Sequence, residues 1–230
     1  MINNKTFFII STGTEIGKTY VAANIIKNFN KIKKKILPLK PILSGFEPKY
    51  FYRCDTAKLL KANNSVVTIQ KIRHHTPWLF KRPLAPILAA QYENKYISYK
   101  EVLEWINHKN QERKNKDEYT LIEGAGGLMV PIEHKKTFLD LIKDLKVPVV
   151  LVIGNYLGTL SHTLSVIKNL DTMGINIICI ALNQLNKNET SIKDTELCLK
   201  RSMTKKISIH KILYNNSNLS SIAKEIYDYF

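Results

Sequence analysis

Residues 11–19, Ser11-Thr12-Gly13-Thr14-Glu15-Ile16-Gly17-Lys18-Thr19, constrain this chain more than any other stretch. They follow the apolar run Phe7-Phe8-Ile9-Ile10 and precede Tyr20-Val21-Ala22-Ala23-Asn24-Ile25-Ile26, which has the make-up of a helix. Strand, glycine-bearing turn, Gly-Lys-Thr and helix is the order in which a phosphate-binding loop works. Backbone N–H groups of such a loop converge on phosphate oxygens, and the following helix adds the positive end of its dipole. Lys18 is then expected to reach the outer phosphates, and Thr19 to offer its hydroxyl to Mg²⁺. The strict pattern has a glycine at position 12, where this chain has threonine; Gly13 lies one place later. An ordinary β–α turn is the competing reading, and the remaining strand ends decide between the two.

The unbroken apolar character of residues 6–10 suits a central parallel strand covered on both faces. The helix after the loop is expected to run to about Phe29. Ile36-Leu37-Pro38-Leu39 reads as a short strand, placed at a sheet edge or strand end by Pro38. Residues 65–72 read either as a strand or as a bridging loop. Residues 76–86 are irregular and proline-punctuated, leading into a short buried helix over 87–91. An amphipathic helix is expected over 100–113, a strand over 119–122, a helix over 138–145 and a β-branched strand over 149–153. Thr159 or Ser161 is expected to cap a helix reaching about Met173. A strand over 177–182, a helix over 191–203, a strand over 207–213 and a helix over 219–229 complete the alternation. This order predicts a single α/β domain over residues 1–230, doubly wound, with a mostly parallel sheet flanked by helices.

Four strand ends carry chemistry. Lys40, in Lys40-Pro41-Ile42-Leu43-Ser44-Gly45, follows the second strand, where open α/β sheets keep their ligands. Asp55 opens a helical pattern and reads either as a simple N-cap or as a ligand. Glu123 ends a strand and is followed by Gly124-Ala125-Gly126-Gly127. A carboxylate in that place of a phosphate-loop protein holds Mg²⁺ directly or through water, and the glycines allow close approach of a ligand. Asn183, at the end of another strand, reads as a turn residue or as an amide that meets a nucleobase edge.

Composition narrows the class. The chain has 230 residues, 44% hydrophobic and 23% charged, which suits a globular protein of one or two domains. No apolar run approaches the ~20 residues of a membrane helix, and residues 1–6 lack a signal-peptide core, so a cytoplasmic protein is expected. Cys54, Cys179 and Cys198 form no CxxC pair; neither a disulfide framework nor a zinc site is expected, and Cys179 reads as a core residue. The six histidines, His74-His75 included, show no metal-ligand spacing. The net charge of +16 comes from short lysine groups such as 31–35 and 109–116, without an aromatic-interleaved basic stripe. It reads as surface charge, with no nucleic acid or membrane partner expected.

Taken together, Thr14-Glu15-Ile16-Gly17-Lys18-Thr19, Lys40-Pro41-Ile42-Leu43-Ser44-Gly45, Asp55 and Glu123-Gly124-Ala125-Gly126-Gly127 resemble the dethiobiotin synthetase family in order and spacing. The segments 83–90 and 154–164 are similar to it as well, so the resemblance spans roughly residues 6–185. It implies a P-loop NTPase-like fold and an ATP-dependent ring closure. The family converts 7,8-diaminononanoate and CO₂ through a carbamate and its phosphorylated form to dethiobiotin, ADP and phosphate, a step of biotin synthesis. By that likeness Thr14, Glu15, Ile16, Gly17, Lys18, Thr19 and Tyr20 wrap the ATP phosphates. Thr19, Asp55 and Glu123 hold Mg²⁺, with Gly124, Ala125 and Gly126 beside the nucleotide, and Asn183 reads adenine. Lys40 and Lys18 are the catalytic cations. Ser44, Thr159, Leu160 and Ser161 contact the substrate, in a homodimer whose site lies near the subunit interface.

The chain departs from the family's pattern at Ser11, Gly13, Tyr156 and Ser161. It also lacks a Gly-x-x-Pro near the last strand, where His210-Lys211-Ile212-Leu213 stands. Three rival readings fit the residues less well. A phosphate-loop amide synthase needs an amidotransferase domain for which the chain has no room. A partitioning-type ATPase switch on DNA or membrane usually carries a further lysine early in the loop, and residues 11–13 offer none. Loss of catalysis fits poorly with intact Lys18, Thr19, Lys40, Asp55 and Glu123.

Overall fold

The computed structural model describes residues 5–113, 117–186, 191–214 and 219–230. In chain order the elements are β1 (Thr6–Ser11), α1 (Lys18–Lys31), β2 (Ile36–Leu39), β3 (Ile42–Leu43), a 3₁₀ segment (Pro48–Arg53), α2 (Asp55–Ala62), α3 (Ile69–His75), β4 (Trp78–Leu79), α4 (Pro86–Tyr92) and α5 (Tyr99–Gln111). They continue with β5 (Tyr119–Gly127), β6 (Pro131–Glu133), β7 (Lys136–Thr137), α6 (Phe138–Leu145), β8 (Val149–Gly154), α7 (Thr159–Thr172), β9 (Ile177–Asn183), α8 (Ile192–Ser202), β10 (Ile209–Ile212) and α9 (Ser220–Tyr229).

The main sheet has six strands in the order β10-β9-β8-β1-β5-β2. Every pairing in it is parallel. The apolar run of β1 has the expected reason: Phe7, Phe8, Ile9 and Ile10 are all fully buried. Successive side chains of a strand point to opposite faces. Phe8 and Ile10 accordingly join Ile122, Leu151 and Ile180 in one core, beneath α5 and α6. Phe7 and Ile9 join Leu121, Val150 and Cys179 in the other, beneath α1 and α9. Pro38 sits on β2, which pairs only with β5 and so forms the sheet edge. A residue without an N–H is tolerated there.

Several local expectations are corrected. Residues 69–75 form a helix, not a strand or a loop; Thr68 caps it by accepting from the Lys71 N–H at 3.2 Å. Helix α2 is capped by Cys54, whose sulfur accepts from the Ala57 N–H at 3.4 Å, so Asp55 is a first-turn residue and its carboxylate is left for other work. Neither Thr159 nor Ser161 caps α7. The N-cap is Gly158, while the Thr159 hydroxyl donates to the Gly154 carbonyl at 2.5 Å. The strand expected over 119–122 continues to Gly127, and the β6–β7 hairpin after it was not anticipated. An aromatic–basic group does exist: the Arg53 guanidinium lies 4.9 Å from the Tyr50 ring centre and 5.5 Å from that of Tyr52. No helix among the described residues is long and apolar enough to cross a membrane.

Candidate active site

The loop between β1 and α1 turns on two left-handed residues, Glu15 (φ 60°) and Gly17 (φ 98°). Alternation of left-handed residues with residues of negative φ, as at 15–17, turns successive N–H groups toward one concavity, a setting for anions. Gly17 is required twice over. Its φ suits glycine alone, and a Cβ there would stand 2.4 Å from Asn183 Nδ2. That amide donates to the Ile16 carbonyl at 3.0 Å, which fastens the loop to the end of β9. Lys18 is buried and reaches back across the loop, donating to Ser11 Oγ at 2.9 Å and to the Gly13 carbonyl at 3.1 Å. Ser11 Oγ donates in turn to the Gly13 carbonyl at 2.5 Å. The serine that breaks the glycine pattern thus braces the loop and its lysine, a role that the sequence alone did not reveal.

The acid and lysine groups come from the end of β2, the start of α2 and the middle of β5. Lys40, only 3% exposed, follows β2. It donates to Glu123 Oε1 at 2.7 Å and to the Gly124 carbonyl at 3.3 Å, and stands 3.4 Å from Asp55 Oδ2. Thr19 Oγ1 donates to the same Glu123 oxygen at 2.6 Å. Burial works against the charge of Lys40, but Glu123 and then Asp55 outweigh it and hold its pKa above the ordinary lysine value. Burial likewise opposes the Asp55 carboxylate, and Lys40 and then Lys58 override it, keeping the carboxyl below its usual range. For Lys18 the pull of Glu123 and Asp55 does not outweigh the opposing effects. Burial, reinforced by Lys40, lowers its pKa to about 8.

Glycine at 124 answers to packing as well: a Cβ there would come within 2.9 Å of Ile10 Cδ1 on the neighbouring strand. This lets β5 lie close against β1, so that Glu123 emerges beside the loop.

These groups face a cavity of about 630 Å³. Of the residues singled out from sequence, Thr14, Glu15, Gly17, Lys18, Thr19, Tyr20, Lys40, Ser44, Asp55, Glu123, Ala125 and Gly126 line it. Ile16 is buried behind the loop, and Gly124 and Asn183 stand behind the wall. Thr159, Leu160 and Ser161 are not part of the lining; they open α7, with Thr159 buried and Ser161 exposed. Sequence reasoning missed Lys58, which lines the cavity and donates to Asp55 Oδ1 at 3.3 Å, and the wall formed by Leu84, Ala85 and Val130. Lys58 could have been suspected, because it stands one helical turn after Asp55.

Two buried oxygens in the lining, Glu123 Oε2 and Ser44 Oγ, find no partner among the described residues. Buried polar atoms are rarely left so. The donors Thr19, Asp55 and Glu123 are all oxygens, a set that fits a hard divalent cation such as Mg²⁺. Lys18, Lys40 and Lys58 around it suit an anionic ligand.

One titration follows from this geometry. Phosphate beside Lys18 restores its ammonium, so ATP binding is expected to take up part of a proton near pH 8 and none near about pH 6. Calorimetry in buffers of different ionisation enthalpy measures the uptake, and Lys18→Arg is expected to abolish it.

The fold and this site together define a phosphate-loop nucleotide-binding α/β protein. A family model described as an AAA domain matches residues 5–220. The ParA family ATPase of Chlorobium tepidum superposes with a TM-score of 0.54 at 17% identity, covering 98% of both chains. The MinC:MinD cell division complex of Aquifex aeolicus gives 0.52 at 19% identity, over 96% of this chain and 86% of that one. At such identity these likenesses speak for the fold alone. Sequence relatives are more specific. The ATP-dependent dethiobiotin synthetase of Acidiphilium cryptum is 34% identical over 198 residues, 86% of this chain and 87% of its own length. That of Methylobacterium nodulans is 36% identical over 182 residues, 78% and 80% of the two chains. The chain belongs to the ATP-dependent dethiobiotin synthetase family.

Proposed function

We propose that this protein closes the cyclic urea of dethiobiotin from 7,8-diaminononanoate, CO₂ and ATP, the reading that the family membership supports. The observation that carries it to residues is the convergence of Lys40, Glu123, Asp55 and Thr19 opposite the phosphate loop in one cavity. One amine of the substrate adds to CO₂ and loses a proton, giving a carbamate. A carbamate oxygen attacks the γ-phosphorus of ATP, the bond to the β-phosphate oxygen breaks, and ADP leaves. The second amine then attacks the carbamoyl carbon, phosphate departs, and the ring closes.

Carbamate and triphosphate are both anions, and they repel unless cations stand between them. Lys18 serves the β- and γ-phosphates, and Lys40 the γ-phosphate and the carbamate. Residues 14–20 and 124–126 wrap the nucleotide. Thr19, Asp55 and Glu123 would hold Mg²⁺, which when bound would supply positive charge to offset that developing on the transferred phosphoryl group. Ser44 contacts the substrate from the same cavity, consistent with its unpartnered hydroxyl. Asn183 offers its amide to adenine from behind Gly17.

Thr159, Leu160 and Ser161 lie off the cavity lining, which suits substrate contacts made across a homodimer to a neighbouring subunit's site. The reading takes residues 1–230 as one synthetase domain acting on small molecules in the cytoplasm. All three cysteines are free, in keeping with a reducing compartment. The reaction requires no nucleic acid or membrane partner.

Incubation with the diamine, labelled bicarbonate and ATP is expected to yield one cyclic urea carrying the label, identified by mass spectrometry. A labelled product lacking the ring, or no label incorporated, would count against the reaction. Sedimentation at micromolar concentration is expected to give twice the chain mass of 26.5 kDa, and the single-chain mass would remove the dimer.

A further inference from the structure

Cys179, His210 and Glu225 lie outside the site described above. The fold, not the sequence spacing, brings them together. β9 and β10 run parallel with Ile209 beside Ile180 and His210 beside Ala181. Laterally paired residues share a sheet face. Ala181 and Cys179 belong to the core beneath α9, whereas Ile180 belongs to the opposite one, so His210 points to the same side as Cys179. Helix α9 covers that side with Ile222, Ala223 and Ile226 and carries Glu225 among them. A thiol sulfur, a ring nitrogen and a carboxylate oxygen thereby lie within 4.8 Å of one another. Glu225 Oε2 pairs with His210 Nε2, and Ser208 Oγ donates to the other oxygen of Glu225. Cys179 is fully buried, while the side chains of His210 and Glu225 retain 19% and 31% exposure, so the group is dry on one side and open to solvent on the other.

We propose that Cys179, His210 and Glu225 form a binding site for a zinc-like divalent transition metal, with water as the fourth ligand, that fastens α9 and the edge strand β10 to the sheet. The donor types select the metal. Mg²⁺ and Ca²⁺ take oxygen shells, whereas zinc takes thiolate, imidazole and carboxylate in a tetrahedron. Donors of such a tetrahedron stand about 3.5 Å apart. Reaching that geometry asks the wider separations to close by about 1 Å and the hydrogen-bonded His210 and Glu225 to part by a similar amount. Ser208 already holds the outer oxygen of Glu225, the kind of support that orients a metal-binding carboxylate. Coordination exchanges the Cys179 S–H proton for the metal and releases it to solvent, while His210 binds through the lone pair of its neutral ring.

Cobalt(II) reports the site directly. One equivalent added to the full chain is expected to give a near-ultraviolet thiolate-to-cobalt band, bleached by zinc. Zinc alone is expected to raise the thermal midpoint by about 5 °C. The band is expected to vanish in Cys179→Ser and to need at least about tenfold more cobalt in Glu225→Gln. It is expected to persist in Cys54→Ser, in Cys198→Ser and in Asp55→Asn, which separates it from the other two thiols and from the oxygen ligands beside Lys40. If Cys179→Ser does not fold, the loss is read in His210→Gln. No band at one equivalent, or a band unchanged in both Cys179→Ser and Glu225→Gln, overturns the proposal; a His210–Glu225 pair packed on an inert thiol gives that result.

Discussion

Lys40→Ala is expected to lower kcat by about 10²–10³-fold, the scale of removing one well-placed group that stabilises transition-state charge. It is also expected to destabilise the nucleotide-free protein by about 3–5 kcal/mol, the cost of leaving one member of a buried pair behind. Glu123 has a fully buried side chain, and without Lys40 its carboxylate keeps, among the described residues, the Thr19 hydroxyl at 2.6 Å. The two losses have different origins and separate cleanly. Removing both charges in Lys40→Met with Glu123→Gln is expected to recover most of the stability, measured by urea unfolding, while activity stays lost. Recovery of activity in the double variant would make Lys40 a structural partner of Glu123 and nothing more.

Gly17→Ala is the second large effect. A φ of 98° costs an L-residue about 1–2 kcal/mol, and the new methyl would collide with Asn183 Nδ2 at 2.4 Å. Relief requires Asn183 to release the Ile16 carbonyl, which frees the loop from β9. ATP affinity is expected to fall more than about tenfold, or 1.4 kcal/mol, as read by nucleotide titration. Asn183→Ala in the same chain removes the collision, but also the tether to the Ile16 carbonyl and the amide assigned to adenine, so ATP affinity is expected to stay low. Full rescue would mean that neither the left-handed turn nor the tether matters to ATP.

Much of this site was legible because its chemistry sits at strand ends. A lysine after Leu39, a carboxylate after Ile122 and Gly-Lys-Thr after β1 must meet at the carboxyl edge of a parallel sheet, whatever the packing around them. The unbroken apolar runs of β1 and β8 likewise marked strands buried on both faces, and Pro38 marked the edge. What stayed hidden depends on contacts between distant residues. Ser11 looked like a blemish in a motif, and only the fold places its hydroxyl under Lys18. Cys54 is a weak cap by residue type, so Asp55 seemed the better candidate until the Ala57 N–H was seen to choose sulfur. Residues 69–75 offer one buried position, Ile72, too little periodicity to announce a helix. The Cys179, His210 and Glu225 group depends on the register of β9 against β10 and on where α9 lands, neither of which spacing along the chain encodes.

Phosphate release from ATP and Mg²⁺, with and without 7,8-diaminononanoate and bicarbonate, tests the central claim most directly. Release that depends strictly on the diamine and is nearly abolished by Lys40→Ala is the predicted result. Turnover that ignores the diamine and rises instead with DNA or lipid vesicles would contradict the synthetase account and favour a partitioning-type switch on the same fold.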